Sequence, residues 1–191
     1  MALLTRSYLS AKAEKASRYT TESYIRASSA EALTASAKSA SRYESFDIFL
    51  SHASEDAILI KGLRDELAEF GFSVYVDWIV DPQFDRSNVT KDTASALRGR
   101  MRQSKCLLFA TSEASRKSVW MPWELGYMDG FTTSRVAIVP MVSDYDAGSE
   151  FKGQEYLGIY PYLDKTGSSL WIHKSSSAYV NFKDWLSGKD P

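Results

Sequence analysis

The sequence has no glycine-rich loop of the kind that holds phosphate groups. Its ten glycines form neither G-x-G-x-x-G nor G-x-x-x-x-G-K-[ST]. The first pattern brings a helix N-terminus close to a dinucleotide, and the second is the loop that holds phosphates in P-loop nucleotidases. Without either pattern, the sequence does not support a dinucleotide-binding dehydrogenase or a P-loop nucleotidase.

Residues that bind transition metals or form disulfides are also scarce. The chain has one cysteine and two histidines, which are too few for a Cys/His zinc cluster. Cys106 cannot form an internal disulfide, and it lies in the apolar run CLLFA. We therefore predict that it is a buried structural thiol in a reducing compartment, and we expect no metal site.

Long apolar runs and a strong charge imbalance are missing as well. No stretch approaches the roughly 18–20 apolar residues that cross a bilayer. No charged n-region followed by an apolar h-region opens the chain. The net charge of −1 does not suit a nucleic-acid binder. The sequence thus predicts a cytoplasmic protein whose partners include neither a membrane nor a nucleic acid.

The chain has enough apolar side chains for one domain, since 44% of its 191 residues are hydrophobic. Residues 1–42 differ from the rest, with 10 Ala, 9 Ser and seven Lys or Arg against three Glu. We predict that they form a helical N-terminal extension leaning on a main domain at 43–191. A self-association or partner-docking arm and a targeting peptide are the alternatives, and the glutamates argue against the targeting peptide.

Short β-rich apolar runs predict the sheet of the main domain. Four of them are nearly continuous, as in strands covered on both faces: Phe46–Leu50, Phe72–Val76, Cys106–Ala110 and Val136–Val142. The pattern weakens through Asp144–Thr166, and Leu170–His173 predicts a last strand. The fold class expected is α/β, a flavodoxin-like open parallel sheet of about five strands with helices on both faces.

Helical patterns separate these runs. They lie between Ser54 and Gly71, at Thr90–Arg102, from the Ser118–Pro122 region to about Asp129, and within Ala178–Leu186. We expect Ser54 to cap the first of these helices and Gly71 to end it. Gly130 is expected to end the third.

Ligands of such sheets bind beyond the carboxyl ends of the strands. The segments that follow the predicted strands carry the candidate substrate-binding residues Ser51, His52, Asp77, Trp78, Ser118 and Trp120. A Ser-His-Asp triad built on Ser51 and His52 is excluded, because adjacent strand residues point to opposite faces and no elbow motif is present. Glu124 lies near Trp120 and Trp123 at the start of a predicted helix, which suggests a carboxylate in a binding site.

Two of these segments resemble a known family. FDIFLSHASED at Phe46–Asp56 is similar to the first signature box of TIR (Toll/interleukin-1 receptor) domains. S-x-W-x-x-x-E, formed by Ser118, Trp120 and Glu124, is similar to the segment that carries the catalytic glutamate of NAD-cleaving TIR domains. The resemblance is greatest to bacterial stand-alone TIR proteins such as those of Thoeris-type antiphage defence. One segment departs from animal receptor TIR domains: the loop Trp78–Arg86 lacks their Arg-Asp…Pro-Gly pattern.

The resemblance implies an enzyme of the NAD nucleosidase or ADP-ribosyl cyclase type, with Glu124 as its catalytic residue. NAD would be the substrate and no cofactor is expected. The products would be nicotinamide and a linear, cyclic or conjugated ADP-ribose, which a separate effector protein would read. Self-association through TIR–TIR contacts is expected as well. The chemistry suits a carboxylate, because cleavage builds positive charge on the ribose.

Each assignment has a structural alternative. Glu124 could merely complement the helix dipole, and Trp120 and Trp123, three residues apart, could belong to the core. His52 could bond its own loop, and Asp77 could end a strand or cap a turn. We expect His173 to be structural or solvent-facing. For the whole protein, the alternative function is a non-enzymatic TIR–TIR interaction module.

Overall fold

A computed structural model describes residues 2–15, 25–33, 45–76, 91–132, 135–153 and 155–191. The strands in this part of the chain are β1 Leu4–Thr5, β2 Phe46–Ser51, β3 Val74–Val76, β4 Ser104–Thr111, β5 Val136–Val142, β6 Tyr162–Thr166, β7 Ser169–His173 and β8 Tyr179–Asn181. The α-helices there are α1 Arg6–Lys15, α2 at residues 25–33, α3 Ala57–Glu69, α4 Lys91–Arg102, α5 Trp120–Phe131 and α6 Phe182–Leu186.

These strands form one mixed sheet in the order β3-β2-β4-β5-β6-β7-β8, and β1 pairs with β5 outside that path. From β3 to β6 every neighbouring pair is parallel. This order is the flavodoxin-like one, with crossover helices between the strands. The predicted fold class is therefore confirmed.

The carboxyl-terminal part of the sheet differs from the prediction. The predicted last strand is β7, but it runs antiparallel to both of its neighbours, β6 and β8. Neither β6 nor β8 was predicted, and the sheet has more strands than the five expected. β6 has the sequence YLDKT, whose two charged residues are not typical of a buried strand. Asp164 within β6 is nevertheless fully buried. Asp164 lies 3.1 Å from Nε2 of His173 on β7, so His173 is a buried structural residue.

The N-terminal segment joins the sheet. Strand β1 pairs in parallel with the carboxyl end of β5, where Leu4 lies beside Met141. The amide of Lys165 on β6 donates to the carbonyl of Ala2, so the residues just before β1 also contact β6. Leu4, Leu9 and Leu33 are buried in the same apolar cluster as the central strands. The described part of the segment thus contributes to the core, while a domain boundary at residue 42 stays a prediction.

Two apolar clusters cover the faces of the sheet. Side chains alternate along β4, so Leu108 belongs to the cluster under α1, α3 and α6, whereas Leu107 belongs to the cluster under α4 and α5. Cys106 is fully buried, as predicted, and burial raises the pKa of its thiol well above the usual range. In the described ranges, no helix has the length and apolar character needed to span a membrane.

Helix ends follow the predictions only in part. Gly71 lies in the left-handed region, with φ +87°, just after Phe70, the residue that caps the end of α3, as expected for a helix stop. Ser54 does not cap α3: it lies in a short 3-10 turn, Ser54–Asp56, and its hydroxyl donates to Glu55. Gly130 does not end α5, because that helix continues to Phe131 and the Thr132 hydroxyl then donates to the Met128 carbonyl.

Candidate active site

Helix α5 presents Glu124 to the sheet. Met121, Leu125 and Met128 follow helical spacing and are buried against the face formed by the second apolar cluster. Glu124 lies three residues after Met121 and four before Met128, so it belongs to the same helix face and is only 1% exposed. Pro122 is tolerated because it lies in the first turn of the helix. The glutamate is therefore a buried carboxylate rather than a solvated one that complements the helix dipole.

Ser51 contacts this carboxylate. It is the last residue of β2, and it shares a sheet face with Phe49, which packs in the cluster under α5. Its hydroxyl donates a hydrogen bond of 2.5 Å to Oε2 of Glu124, and the serine is fully buried. This bond holds the carboxylate in one orientation.

His52 follows Ser51 and is also buried, with 2% of its surface exposed. Its Nδ1 lies 3.0 Å from the carbonyl oxygen of Leu50. Because a carbonyl can only accept, Nδ1 must carry a proton in this contact. The imidazole therefore makes the loop hydrogen bond that the sequence left open.

A pocket of about 250 Å³ opens at the carboxyl ends of β2 and β4. The loop after β2 lines one side, and the segment before α5 lines the other. Its lining residues are Ala53, Ser54, Glu55, Ala114, Lys117, Ser118, Val119 and Trp120. Two predicted residues, Ser118 and Trp120, therefore lie in one pocket beside the segment that carries Ser51 and His52. The Ser118 hydroxyl also accepts from the Met121 amide, 3.3 Å away, and so supports the start of α5.

Aromatic side chains form a ladder along α5. The rings of Trp120 and Trp123 meet edge to face at 5.4 Å, and Trp123, Tyr127 and Phe131 stack at about 6 Å. Trp120 lines the pocket, whereas Trp123 packs against the second apolar cluster. The two tryptophans thus lie in different surroundings. Asp77 and Trp78, the other predicted substrate contacts, lie outside the described residues, as does the loop that follows them.

Sequence reasoning missed a hydrogen bond between the loop after β2 and the loop after β4. The Ser112 hydroxyl, just after β4, donates to the carboxylate of Asp56, in the turn after β2. Burial raises the pKa of Asp56 above its usual range, while the bond from Ser112 acts against that rise. The rule that ligands bind after strands would have selected Ser112, but only the folded chain brings Asp56 next to it. This link connects the two loops that flank the pocket.

Comparison with known families is consistent with this geometry. The model of the TIR domain family matches residues 48–169. The chain belongs to the TIR domain family. The match includes Ser51, His52, Ser118, Trp120 and Glu124, and the family assignment from the two motifs is confirmed.

Two curated relatives are similar to this TIR domain protein. One is named "Probable 3' cyclic ADP-D-ribose synthase ThsB'", from Bacillus cereus (strain MSX-D12), and is 52% identical over 148 residues, covering 74% of this chain and 75% of the relative. The other is named "Putative cyclic ADP-D-ribose synthase TIR2", from Cytobacillus dafuensis, and is 34% identical over 83 residues. That alignment spans 43% of this chain but 22% of the relative. The resemblance to bacterial TIR proteins of the Thoeris type is confirmed by the first relative.

Proposed function

We propose that this TIR protein cleaves NAD between ribose and nicotinamide and converts the ADP-ribosyl unit into a cyclic signal. The observation that carries the proposal is the buried Glu124 carboxylate, held by Ser51 next to a pocket at the carboxyl end of the sheet. The names of both relatives, which are cyclic ADP-D-ribose synthases, support it.

The chemistry follows from the position of the carboxylate. When the bond from ribose C1′ to the nicotinamide nitrogen breaks, its electron pair leaves with nicotinamide and positive charge develops on the ribose. A fixed carboxylate in a water-poor site stabilises that charge more than a carboxylate in solvent does. Glu124 would therefore act as the catalytic residue, and Ser51 would position it.

The pocket suits one half of the substrate. Its volume of about 250 Å³ lies just under the range of roughly 300–1,000 Å³ that is usual for ligand pockets. The nicotinamide riboside half of NAD would enter, with Trp120 beside a ring and Ser118 beside a hydroxyl, while the other half would extend outward. His52 would support the loop from behind through its bond to Leu50.

The second step decides the product. A hydroxyl or ring nitrogen of the adenosine half can attack C1′ and lose a proton, which closes a ring, or water can attack instead and give ADP-ribose. We assign the cyclic route to this chain, because both relatives carry synthase names. A cyclic ADP-ribose would then serve antiphage defence as a messenger read by a separate effector protein.

Product analysis tests this proposal. Purified protein is incubated with NAD, and cells that carry the protein are infected with phage. Nucleotides from both preparations are separated by chromatography and identified by mass spectrometry. We expect nicotinamide and a product with the mass of ADP-ribose minus one water, absent from the Glu124→Gln variant. Release of ADP-ribose alone would contradict the cyclic route, and intact NAD in both preparations would contradict cleavage.

A non-enzymatic interaction module is the second candidate, and one observation favours it. Val119, just before α5, is 81% exposed, and Phe131, the last residue of α5, is 49% exposed. Exposed apolar side chains at the two ends of a helix favour contact with another TIR domain. Signalling in infected cells that survives Glu124→Gln but is lost in Phe131→Glu would support this second function.

A further inference from the structure

A second pocket lies at the carboxyl ends of β4 and β5. It measures about 350 Å³, which falls within the usual size of ligand sites. The turn Ser115–Lys117 contributes to both pockets: Ser115 and Arg116 line this one, whereas Lys117 lines the pocket near Glu124. The second pocket is therefore a neighbour of the candidate active site and not a part of it.

Three cations come to this pocket from distant parts of the chain. Arg6 begins α1, Arg116 lies in the turn after β4, and Lys152 follows β5. Glu113 and Asp146 also line it, so the lining carries three positive against two negative charges. A lining with an excess of cations, at the edge of the sheet where α/β folds bind ligands, favours an anion.

Arg6 reaches the pocket because β1 joins the sheet. The parallel pairing of Thr5 with Val142 places the next residue at the end of β5, and Arg6 Nε donates to the Met141 carbonyl at 3.3 Å. That bond uses Nε and leaves the two terminal nitrogens of the guanidinium with further protons to donate. The N-terminal segment thus supplies part of the lining.

Hydroxyls and apolar side chains complete the lining. The Ser112 and Ser115 hydroxyls each accept from the other residue's amide, and the Ser115 hydroxyl donates to the Ser112 carbonyl, so the turn that carries Arg116 is held in place. Phe151 and Leu157 line the pocket as well, and they pack partly buried against the second apolar cluster. An aromatic face and an aliphatic side chain near cations can hold a flat ring while the cations hold a phosphate.

The geometry points to a binding site for a mononucleotide in this pocket, separate from the site that cleaves NAD. The phosphate would lie among Arg6, Arg116 and Lys152, and the base would lie against Phe151 and Leu157. A volume of about 350 Å³ admits a mononucleotide more readily than a dinucleotide. No bond is made or broken there, so the site is one of recognition.

Calorimetric titration with AMP tests the site. The protein used is the full chain with the substitution Glu124→Gln, so that no added nucleotide is cleaved during the titration. The result therefore does not depend on whether the proposed NAD cleavage is correct. We expect saturable binding of one AMP, with adenosine and inorganic phosphate each binding more weakly. Lys152→Glu and Arg116→Glu should each weaken AMP binding by roughly tenfold or more, since each removes a charge-assisted hydrogen bond.

Lys174→Glu is the matched control, because it makes the same charge change on an exposed residue outside the lining. Circular dichroism confirms that each variant is folded, and Lys152→Gln repeats the test with a milder change. AMP binding that is absent, or that falls equally in the control, would overturn the site. Phosphate binding as tightly as AMP would overturn the nucleotide assignment, and competition by nicotinamide riboside would place AMP in the other pocket.

Discussion

Ser51 Oγ donates a 2.5 Å hydrogen bond to Glu124 Oε2, and this bond joins the end of the first core strand to the helix that follows the third. The two residues are 73 positions apart and both are buried. Burying a carboxylate is costly, so a buried serine–glutamate pair on the two segments that lead to the pocket suggests a function rather than a contribution to stability.

Removing the serine hydroxyl should reduce turnover more than stability. In Ser51→Ala, Glu124 loses a donor that helps to orient it, and we expect kcat for NAD to fall by roughly 10- to 100-fold, the range for one hydrogen bond to a charged group. Initial rates of nicotinamide release measure this. Ser104→Ala is the control, because Ser104 is also buried and its hydroxyl donates to a carbonyl, that of Arg100. An equal loss of rate in both variants would show a general structural effect.

The two tryptophans of α5 should separate into a pocket residue and a packing residue. Trp120→Ala is expected to raise KM for NAD by roughly tenfold, because one aromatic contact is worth up to about 1.5 kcal/mol, with little change in Tm. Trp123→Ala should lower the free energy of unfolding by about 2 kcal/mol, less than for a fully buried ring. Measurements of KM for NAD and of Tm for both variants distinguish the two roles. A large fall in Tm for Trp120→Ala alone would assign it to the core.

A glycine marks the contact between α1 and α3. A Cβ on Gly62 would lie 2.0 Å from the backbone oxygen of Leu9, so Gly62→Ala must push α1 away and should cost about 1–3 kcal/mol of unfolding free energy. Gly99 in α4 has nothing within 4 Å of such a Cβ. Gly99→Ala should therefore stabilise the protein by about 0.5–1 kcal/mol. Urea unfolding measures both, and a neutral Gly62→Ala would mean that α1 does not pack as described.

Glu66 should make stability depend on acid pH. Burial opposes its ionisation, but hydrogen bonds from Lys12, Lys165 and Tyr8, at 2.5–2.7 Å, outweigh burial and hold its pKa below the usual range. A carboxyl with a lowered pKa in the folded state stabilises the fold above the unfolded pKa, near 4.5. That stabilisation is lost as the pH falls through the folded pKa.

Glu66→Gln removes this dependence. We expect it to cost about 2 kcal/mol at pH 7, less than for a fully buried pair because both lysines retain some contact with water. Below pH 4 the difference between variant and parent should shrink. Chemical unfolding from pH 3 to 7 checks this, with Glu69→Gln as the control, since Glu69 is exposed and also bonds Lys12. A constant difference across this range would show that Glu66 does not act through its charge.

How much could be predicted depends on whether a feature is local. β5 matches the predicted bounds because Val136–Val142 is one uninterrupted apolar run. β1 has two residues, too few for any pattern, and it exists only through its pairing with β5. β6 was not predicted because an aspartate is typical of a loop, and the sequence does not show that Asp164 is buried beside His173.

The site shows the same division. Glu124, Ser118 and Trp120 were selected by spacing and family resemblance within seven residues of chain. The contact of Ser51 with substrate stays a prediction, and the fold adds the contact of its hydroxyl with Glu124. The cationic pocket could not be predicted. Arg6, Arg116 and Lys152 are far apart in the sequence, and Arg6 joins the lining only because β1 pairs with β5.

Turnover of NAD by Glu124→Gln tests the central claim most directly. The substitution keeps the size of the side chain and an oxygen that accepts from Ser51, but it removes the negative charge. Nicotinamide release is followed side by side with the parent, in conditions where the parent consumes NAD, and Tm is measured for both. We predict that release falls by at least roughly a thousandfold, since electrostatic stabilisation is usually the largest catalytic term, while the protein stays folded. A folded Glu124→Gln variant that releases nicotinamide at the parent's rate would contradict the account.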